Sequence, residues 1–181
     1  MKKTILILAL VMFTASLFAQ RKTTTSASVV FDATTSIDNL PKAENKTVIA
    51  AIDTKTGVVQ FEANVKNFAF NNPNMQTHFN GDKWMNSDAF PTFSFKGNIV
   101  NVSDVNFAKE GSYTASIEGT LTVKGKEQKV KVPATVVVKG GTISATSDFT
   151  IKLADYEISG APVDAGKVSK EPKVSVWAEF K

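Results

Sequence analysis

The sequence predicts an all-β chain whose long antiparallel strands close into a β-barrel, with a short helical segment near residues 74–86. Three observations predict it. Apolar and polar residues alternate with period two over long stretches, the mark of strands that bury one face and wet the other. Tight turns rich in glycine join these stretches as hairpins. Long antiparallel strands with one apolar face also twist, and closing them into a barrel removes their exposed edges.

The elements follow in order. Residues 47–52 and 59–66 form a hairpin across the turn Asp53-Thr54-Lys55-Thr56-Gly57. In its second strand Val59, Phe61, Ala63 and Val65 alternate with Gln60, Glu62, Asn64 and Lys66. An irregular segment follows, residues 75–97, which holds the only histidine, one of the two tryptophans and the phenylalanines Phe79, Phe90, Phe93 and Phe95. Such local aromatic and amide chemistry closes the end of a barrel or shapes the mouth of a pocket. Residues 74–86 read as one or two helical turns, with Asn74 as N-cap, Met75, Phe79 and Trp84 turned inward, and Gly81 interrupting. Pro91 favours an extended entry into a strand with Phe93 and Phe95, whose regular part ends at Gly97.

Three long strands come next. Tyr113, Ala115, Ile117, Gly119, Leu121 and Val123 share one face, then Val130, Val132, Ala134, Val136 and Val138 after the turn at Gly125. Gly140-Gly141 turns the chain into Ile143, Ala145, Ser147, Phe149, Ile151 and Leu153. Residues 160–173, with two prolines and two glycines, read as a loop, and Val174, Val176, Ala178 and Phe180 make the last strand beside Trp177. The small inward residues either complement large neighbours or leave a ligand cavity.

The chain opens MKKTILILALVMFTASLFAQ, a positive start, a short apolar run and a small residue at Ala19. Residues 1–19 read as a secretory signal peptide rather than a membrane anchor, leaving residues 20–181 as one domain in the periplasm or secreted. The chain has no cysteine, which excludes disulfides, thiol nucleophiles, thiolate metal sites and a lipidated cleavage site. The formal net charge of +4 falls to about +2 once Lys2 and Lys3 leave. Lys124, Lys126, Lys129 and Lys131 flank one turn and read as a solvated hairpin that discourages edge pairing, not as a nucleic-acid stripe.

Catalytic chemistry finds little support. A single histidine cannot pair with another on a metal, and Asp82 and Asp88 are the carboxylates nearest His78 in sequence. Ser87 lacks a nucleophile elbow, and no phosphate loop or dinucleotide fingerprint is present. His78 and Asp88 read as hydrogen-bonding residues of the loop that seals the barrel. The expectation is a protein that is not an enzyme and needs no metal or cofactor.

Three blocks in order resemble the YceI-like family of lipocalin-like, polyisoprenoid-binding proteins. The first is His78-Phe79, then Trp84-Met85-Asn86-Ser87-Asp88-Ala89-Phe90-Pro91 and Phe93-Ser94-Phe95-Lys96-Gly97. The second is Gly119-Thr120-Leu121-Thr122-Val123-Lys124-Gly125, with Val130 and Val132 after it. The third is Phe149-Thr150-Ile151-Lys152-Leu153-Ala154-Asp155-Tyr156-Glu157-Ile158. The resemblance spans about residues 29–180. It implies an eight-stranded barrel holding a long apolar ligand in a bacterial periplasm. The chain departs from the family pattern at Gln76-Thr77, where Arg-Asp is common, at Leu153, where arginine is common, and at Glu157, which replaces a glycine.

Two functions then compete. In the first, the barrel carries or stores an apolar lipid, whether isoprenoid, quinone-like or fatty-acyl, and touches a membrane surface transiently. Ten buried methylenes would supply about 8 kcal/mol before ordering costs. Its lining would include Phe61, Val65, Phe68, Phe79, Trp84 and Phe93. Phe95, Ile117, Leu121, Phe149 and Leu153 would complete it, under a lid at residues 75–90 where Met75, Met85 and Phe90 supply further contacts. In the second, the barrel is packed and ligand-free, an envelope stress or interaction module working through loops 101–111 and 160–173.

Overall fold

The alternating stretches do form strands, and the strands pair into one closed sheet. The computed structural model describes residues 21–181, so the expected signal peptide lies outside the described residues. In chain order the strands are β1 (Arg21–Asp32), β2 (Lys42–Asp53), β3 (Val58–Asn64), β4 (Ala69–Phe70), β5 (Thr92–Ile99), β6 (Gly111–Val123), β7 (Lys126–Lys139), β8 (Thr142–Thr150) and β9 (Lys173–Phe180). Two short helices interrupt them, α1 (Pro73–Asn80) and α2 (Ala161–Asp164). The antiparallel order β1-β9-β8-β7-β6-β5-β3-β2 returns to β1 through the β1–β2 pairing, which makes an eight-stranded barrel. The two-residue β4 is an addition on β2, with Phe70 opposite Ala43.

Register carries the predicted inner face around the wall. Phe61 lies opposite Phe95 and Phe95 opposite Leu121, while Ile99 lies opposite Ile117 and Ile117 opposite Val132. Across the other half, Phe31, Val174 and Phe149 stand side by side. Because side chains alternate, a slip by one residue would turn all of them to solvent. At one end Phe180, Ile143, Val138 and Val105 are buried and fill the barrel. At the other end lie three long connections, residues 33–41, 65–91 and 151–172, while a fourth, residues 100–110, crosses the filled end.

The wall parts in two places at that second end. β2 and β3 pair only from Ile49 opposite Glu62 to Ile52 opposite Val59. Beyond, the fully buried Asn45 bridges them: its Nδ2 donates to the Asn64 carbonyl at 2.9 Å, and its Oδ1 accepts from the Thr47 N–H and hydroxyl, each at 2.9 Å. A buried amide with its partners in place fixes the divergence instead of weakening it. Similarly, β7 and β8 pair only from Thr135 opposite Thr146 to Lys139 opposite Thr142. There the Ser147 hydroxyl donates to the Pro133 carbonyl at 2.6 Å, and Gln128 Nε2 reaches the Asp155 carbonyl at 2.7 Å.

Several boundaries differ from the sequence expectation, among them the loop expected over residues 160–173, which holds helix α2 and yields its last residue to β9. The strand expected over residues 59–66 stops at Asn64, where the Asn64 side chain caps a 3-10 turn (Val65–Asn67) and Val65 N–H turns to the Pro91 carbonyl. Helix α1 begins two residues early: Asn72, not Asn74, is the N-cap, accepting from the N–H groups of Asn74 and Met75, and Pro73 takes the first turn. The helix ends at Asn80, and residues 81–90 are turns. β8 ends at Thr150, and Leu153 sits in a 3-10 turn (Leu153–Tyr156).

Gly97 does not end its strand, for β5 continues to Ile99. It faces Gly119 across the β5–β6 ladder, and the Phe95 ring lies over the pair. A Cβ on Gly119 would stand 2.6 Å from the Phe95 ring edge and 2.6 Å from the Lys96 carbonyl. Two glycines here let one aromatic ring lie against bare backbone. We expect Gly119→Ala to lose about 1–3 kcal/mol in urea unfolding, as overpacking does. An unchanged midpoint would show that Phe95 moves aside freely.

Candidate functional site

The inner face encloses an apolar cavity of about 160 Å³. It runs from Phe31, Phe68, Phe79 and Met85 at the mouth to Ile52, Val136 and Phe180 at the closed end. Among the described residues, Ser94, Thr146 and Ser147 are the polar ones at a lining that is otherwise aliphatic or aromatic. Ser94 and Thr146 belong to the outward set by strand alternation, and the Ser147 hydroxyl is already bonded to Pro133. Among the described residues no charge or free donor lines the cavity. What enters must therefore be apolar along its buried length.

The half-buried state of the inward aromatics follows from this hollow. Phe61, Phe93, Phe95, Leu121 and Phe149 point inward yet are not sealed, while the residues at the closed end are. Small neighbours create the room. Ala63 stands opposite Phe93, Ala145 opposite both Val136 and Ala178, and Gly97 opposite Gly119.

The mouth is built around Phe79, which α1 buries. Its ring lies 4.9 Å from Phe70, 6.1 Å from Phe68 and 6.3 Å from Phe31, all tilted, and Phe68 continues to Phe93 at 5.7 Å. Such tilted pairs are the favoured aromatic arrangement. Met85 is buried beneath the turns after α1, and its N–H donates to the Phe79 carbonyl at 3.1 Å. On the opposite rim, Leu153 and Ile158 line the cavity from the turn that fills the β7–β8 parting. Plug and pocket thus coexist: an aromatic stopper stands over a hollow lumen.

Of the residues the sequence singles out, Phe61, Phe68, Phe79, Met85, Phe93, Phe95, Ile117, Leu121, Phe149 and Leu153 line the cavity. Four others do not. Val65 is fully buried beyond the end of β3, and Met75 is half-buried on the flank of α1. Trp84 packs against the core from outside, and the Phe90 ring covers Gly125 at the β6–β7 turn. His78, expected to hydrogen-bond through its ring, is exposed on α1, whose inner side is taken by Phe79; its carbonyl accepts from Gly81 N–H at 3.2 Å. Asp88 pairs with Lys66 at 2.6 Å across an exposed surface, an interaction of small energetic weight. Among the described residues no cluster of three His, Cys, Asp or Glu side chains is placed to hold a metal ion.

Sequence reasoning missed Val29 and Phe31, which line the cavity from β1, although Ala27, Val29 and Phe31 do alternate. It also passed over Phe70, isolated before Asn71-Asn72, and Tyr156. Tyr156 is 1% exposed in the turn beside the rim, and burial, with Asp155 adding to it, pushes its hydroxyl up to about 12. A raised value favours the neutral phenol in the folded state. Its contribution to stability is whole below the unfolded value near 10 and is lost as pH rises through about 12. We expect the tyrosinate absorbance assigned to Tyr156, by difference from Tyr156→Phe, to appear only in that alkaline range. Ionisation near pH 10 would mean that the rim opens to water.

Leu121 offers a direct test of the hollow. Leu121→Trp places its added bulk in the cavity, so we expect a folded protein with unchanged far-UV circular dichroism and a smaller capacity for apolar dyes. A loss of about 1–3 kcal/mol would instead report a packed interior.

Comparison with known proteins agrees with this architecture. The sequence model of the YceI-like domain matches residues 11–180. Among solved structures, the chain is similar to a polyisoprenoid binding domain from Saccharophagus degradans implicated in plant cell wall breakdown. That likeness has a TM-score of 0.75 at 12% identity, covering 90% of this chain and 98% of that one. It is similar to BcnA of Burkholderia cenocepacia, with a TM-score of 0.70 at 18% identity, covering 86% and 96% of the two chains. The YCEI protein of Campylobacter jejuni matches with a TM-score of 0.56 at 16% identity over 79% and 83%. At these identities the likeness is one of fold. No curated protein matches the chain by sequence.

Proposed function

The chain belongs to the YceI-like family, and on that premise we propose that it is a binding protein that holds a long apolar chain in its barrel. The chain is of isoprenoid, quinone-like or fatty-acyl kind, and the protein transports or stores it in the periplasm or outside the cell. The observation that carries this reading is the cavity itself, walled by inward phenylalanines and supplied with no polar anchor. An apolar cavity of about 160 Å³ left empty forfeits the van der Waals contacts that its lining would make with a filling chain. A bound chain restores those contacts and adds about 0.8 kcal/mol for each methylene removed from water. Binding of this kind needs shape and dryness rather than a polar motif, which accounts for the lack of one.

The polyisoprenoid binding of the Saccharophagus domain is in keeping with the same ligand class. The leader-like pattern of residues 1–19 supports a location outside the cytoplasm. The competing idea, a packed barrel acting through its loops, requires a filled lumen, and the hollow weighs against it.

Native mass spectrometry of protein purified from a bacterial periplasm tests the proposal. We expect a stoichiometric apolar passenger, or uptake of one isoprenoid, quinone or fatty acid by the emptied protein. An apo mass unchanged by all three classes would overturn it. Cell fractionation gives the location, with the protein expected in the periplasmic or extracellular fraction.

A further inference from the structure

We infer that the turn at residues 33–41 is a docking finger that sets the barrel mouth against a lipid bilayer. The inference rests on the carrier reading, since it names the surface from which an apolar chain is loaded. It begins from two side chains that the core does not use. Ile37 is 67% exposed and Leu40 is 47% exposed, both on this one turn.

The turn is rigid. Thr35 N–H donates to the Asp38 carbonyl, Ala33 N–H to Pro41 and Lys42 N–H to Leu40, all within 2.8 Å. The Thr35 hydroxyl accepts from the N–H groups of Ile37 and Asp38, each at 3.1 Å. Asp38 spends its carboxylate on Leu40 N–H at 2.8 Å. With its backbone groups tied internally, the turn gains nothing from holding two aliphatic side chains in water.

Its position points to the occupant. Next to the last residue of β1 is Phe31, which lines the cavity and meets Phe79, the stopper of the mouth. The Ala33 carbonyl accepts from Ser169 N–H at 2.9 Å, so the finger is fastened to the opposite rim, and Ile37 Cδ1 stands beside Gly166, 3.4 Å from where a Cβ there would lie. Lys167 and Lys170 flank it there, exposed and without an ion-pair partner among the described residues. Two bare aliphatic tips beside free ammonium groups, at the open end of an apolar cavity, match the layering of a bilayer surface. Acyl chains take the tips and phosphates take the lysines. A chain passing from bilayer to lumen at this end need not cross water.

The absence of cysteine makes the test clean. An environment-sensitive fluorophore on Ile37→Cys is expected to shift to the blue with phosphatidylcholine–phosphatidylglycerol vesicles. The same probe on Val100→Cys, 51% exposed at the closed end, is expected not to shift. In flotation, the double variant Ile37→Ser/Leu40→Ser should bind these vesicles about tenfold less than the parent, consistent with withdrawing two partly exposed aliphatic chains. Its melting temperature, and its uptake of an isoprenoid from detergent micelles, should stay unchanged. A double variant that floats like the parent, a parent that does not float, or a shift equal at positions 37 and 100 would overturn the docking finger. So would a parent that self-associates through this turn without binding vesicles. Micelle uptake reports the carrier reading separately: if the parent takes up nothing yet floats through Ile37 and Leu40, that reading fails and the docking surface stands.

Discussion

The interior depends on one pairing, β1 against β2. Left open at that junction, the sheet would expose two strand edges and drain its inner face into solvent. Closed, it gives a wall whose every inward position meets another inward position, from Phe31 beside Val174 round to Phe61 beside Phe95. Register shifts in β1 between Thr24 and Val29 show how the join is accommodated: the strand bends where it leaves β9 behind and follows β2 alone. Bulges of this kind supply the local twist that closing a sheet requires.

A barrel closed uniformly would still have no mouth. The two partings, β2 from β3 and β7 from β8, widen one end of the wall, and each is fixed by a specific polar contact rather than left frayed. Asn45 holds the first; Ser147 and Gln128 hold the second. Non-β segments then occupy the widened end, with α1 and its Phe79 on one side and the turn carrying Leu153 and Tyr156 on the other. Polar side chains are used at the edges of the mouth, and Ser147, the inward one at the lining, is already bonded to the Pro133 carbonyl. This division lets the same barrel be rigid as a frame and undemanding as a ligand site.

Much of this was legible in the residues. Period two fixes which side chain faces inward, so Leu121, Phe149 and Ile117 could be placed in the lumen before any register was known. The hairpins at Gly57, Gly125 and Gly140-Gly141 could be read because left-handed turns select glycine, and these glycines have positive φ. Where periodicity stops, so did the reading. Val65 looked like the next inward residue of its strand, but Asn64 caps a 3-10 turn there, and a local side-chain hydrogen bond outweighs one more step of alternation. His78 stood out only by being unique; its exposure depends on which flank of α1 Phe79 claims. Asn45 gave no signal, because a buried amide is recognised by partners that tertiary structure brings together. Nor could small inward residues decide between a hollow and a packed lumen, since that depends on how far each opposing aromatic reaches.

The central claim is that the lumen takes an apolar chain along its length. Isotope-filtered nuclear Overhauser spectra of labelled protein with an unlabelled long-chain isoprenoid alcohol test it most directly. The account predicts contacts from ligand methyl groups to Leu121, Ile117 and Phe149 deep in the barrel, with the hydroxyl end near Met85 and Leu153 at the mouth. Contacts confined to the exposed face of the 33–41 turn, with none to Leu121 or Ile117, would contradict it.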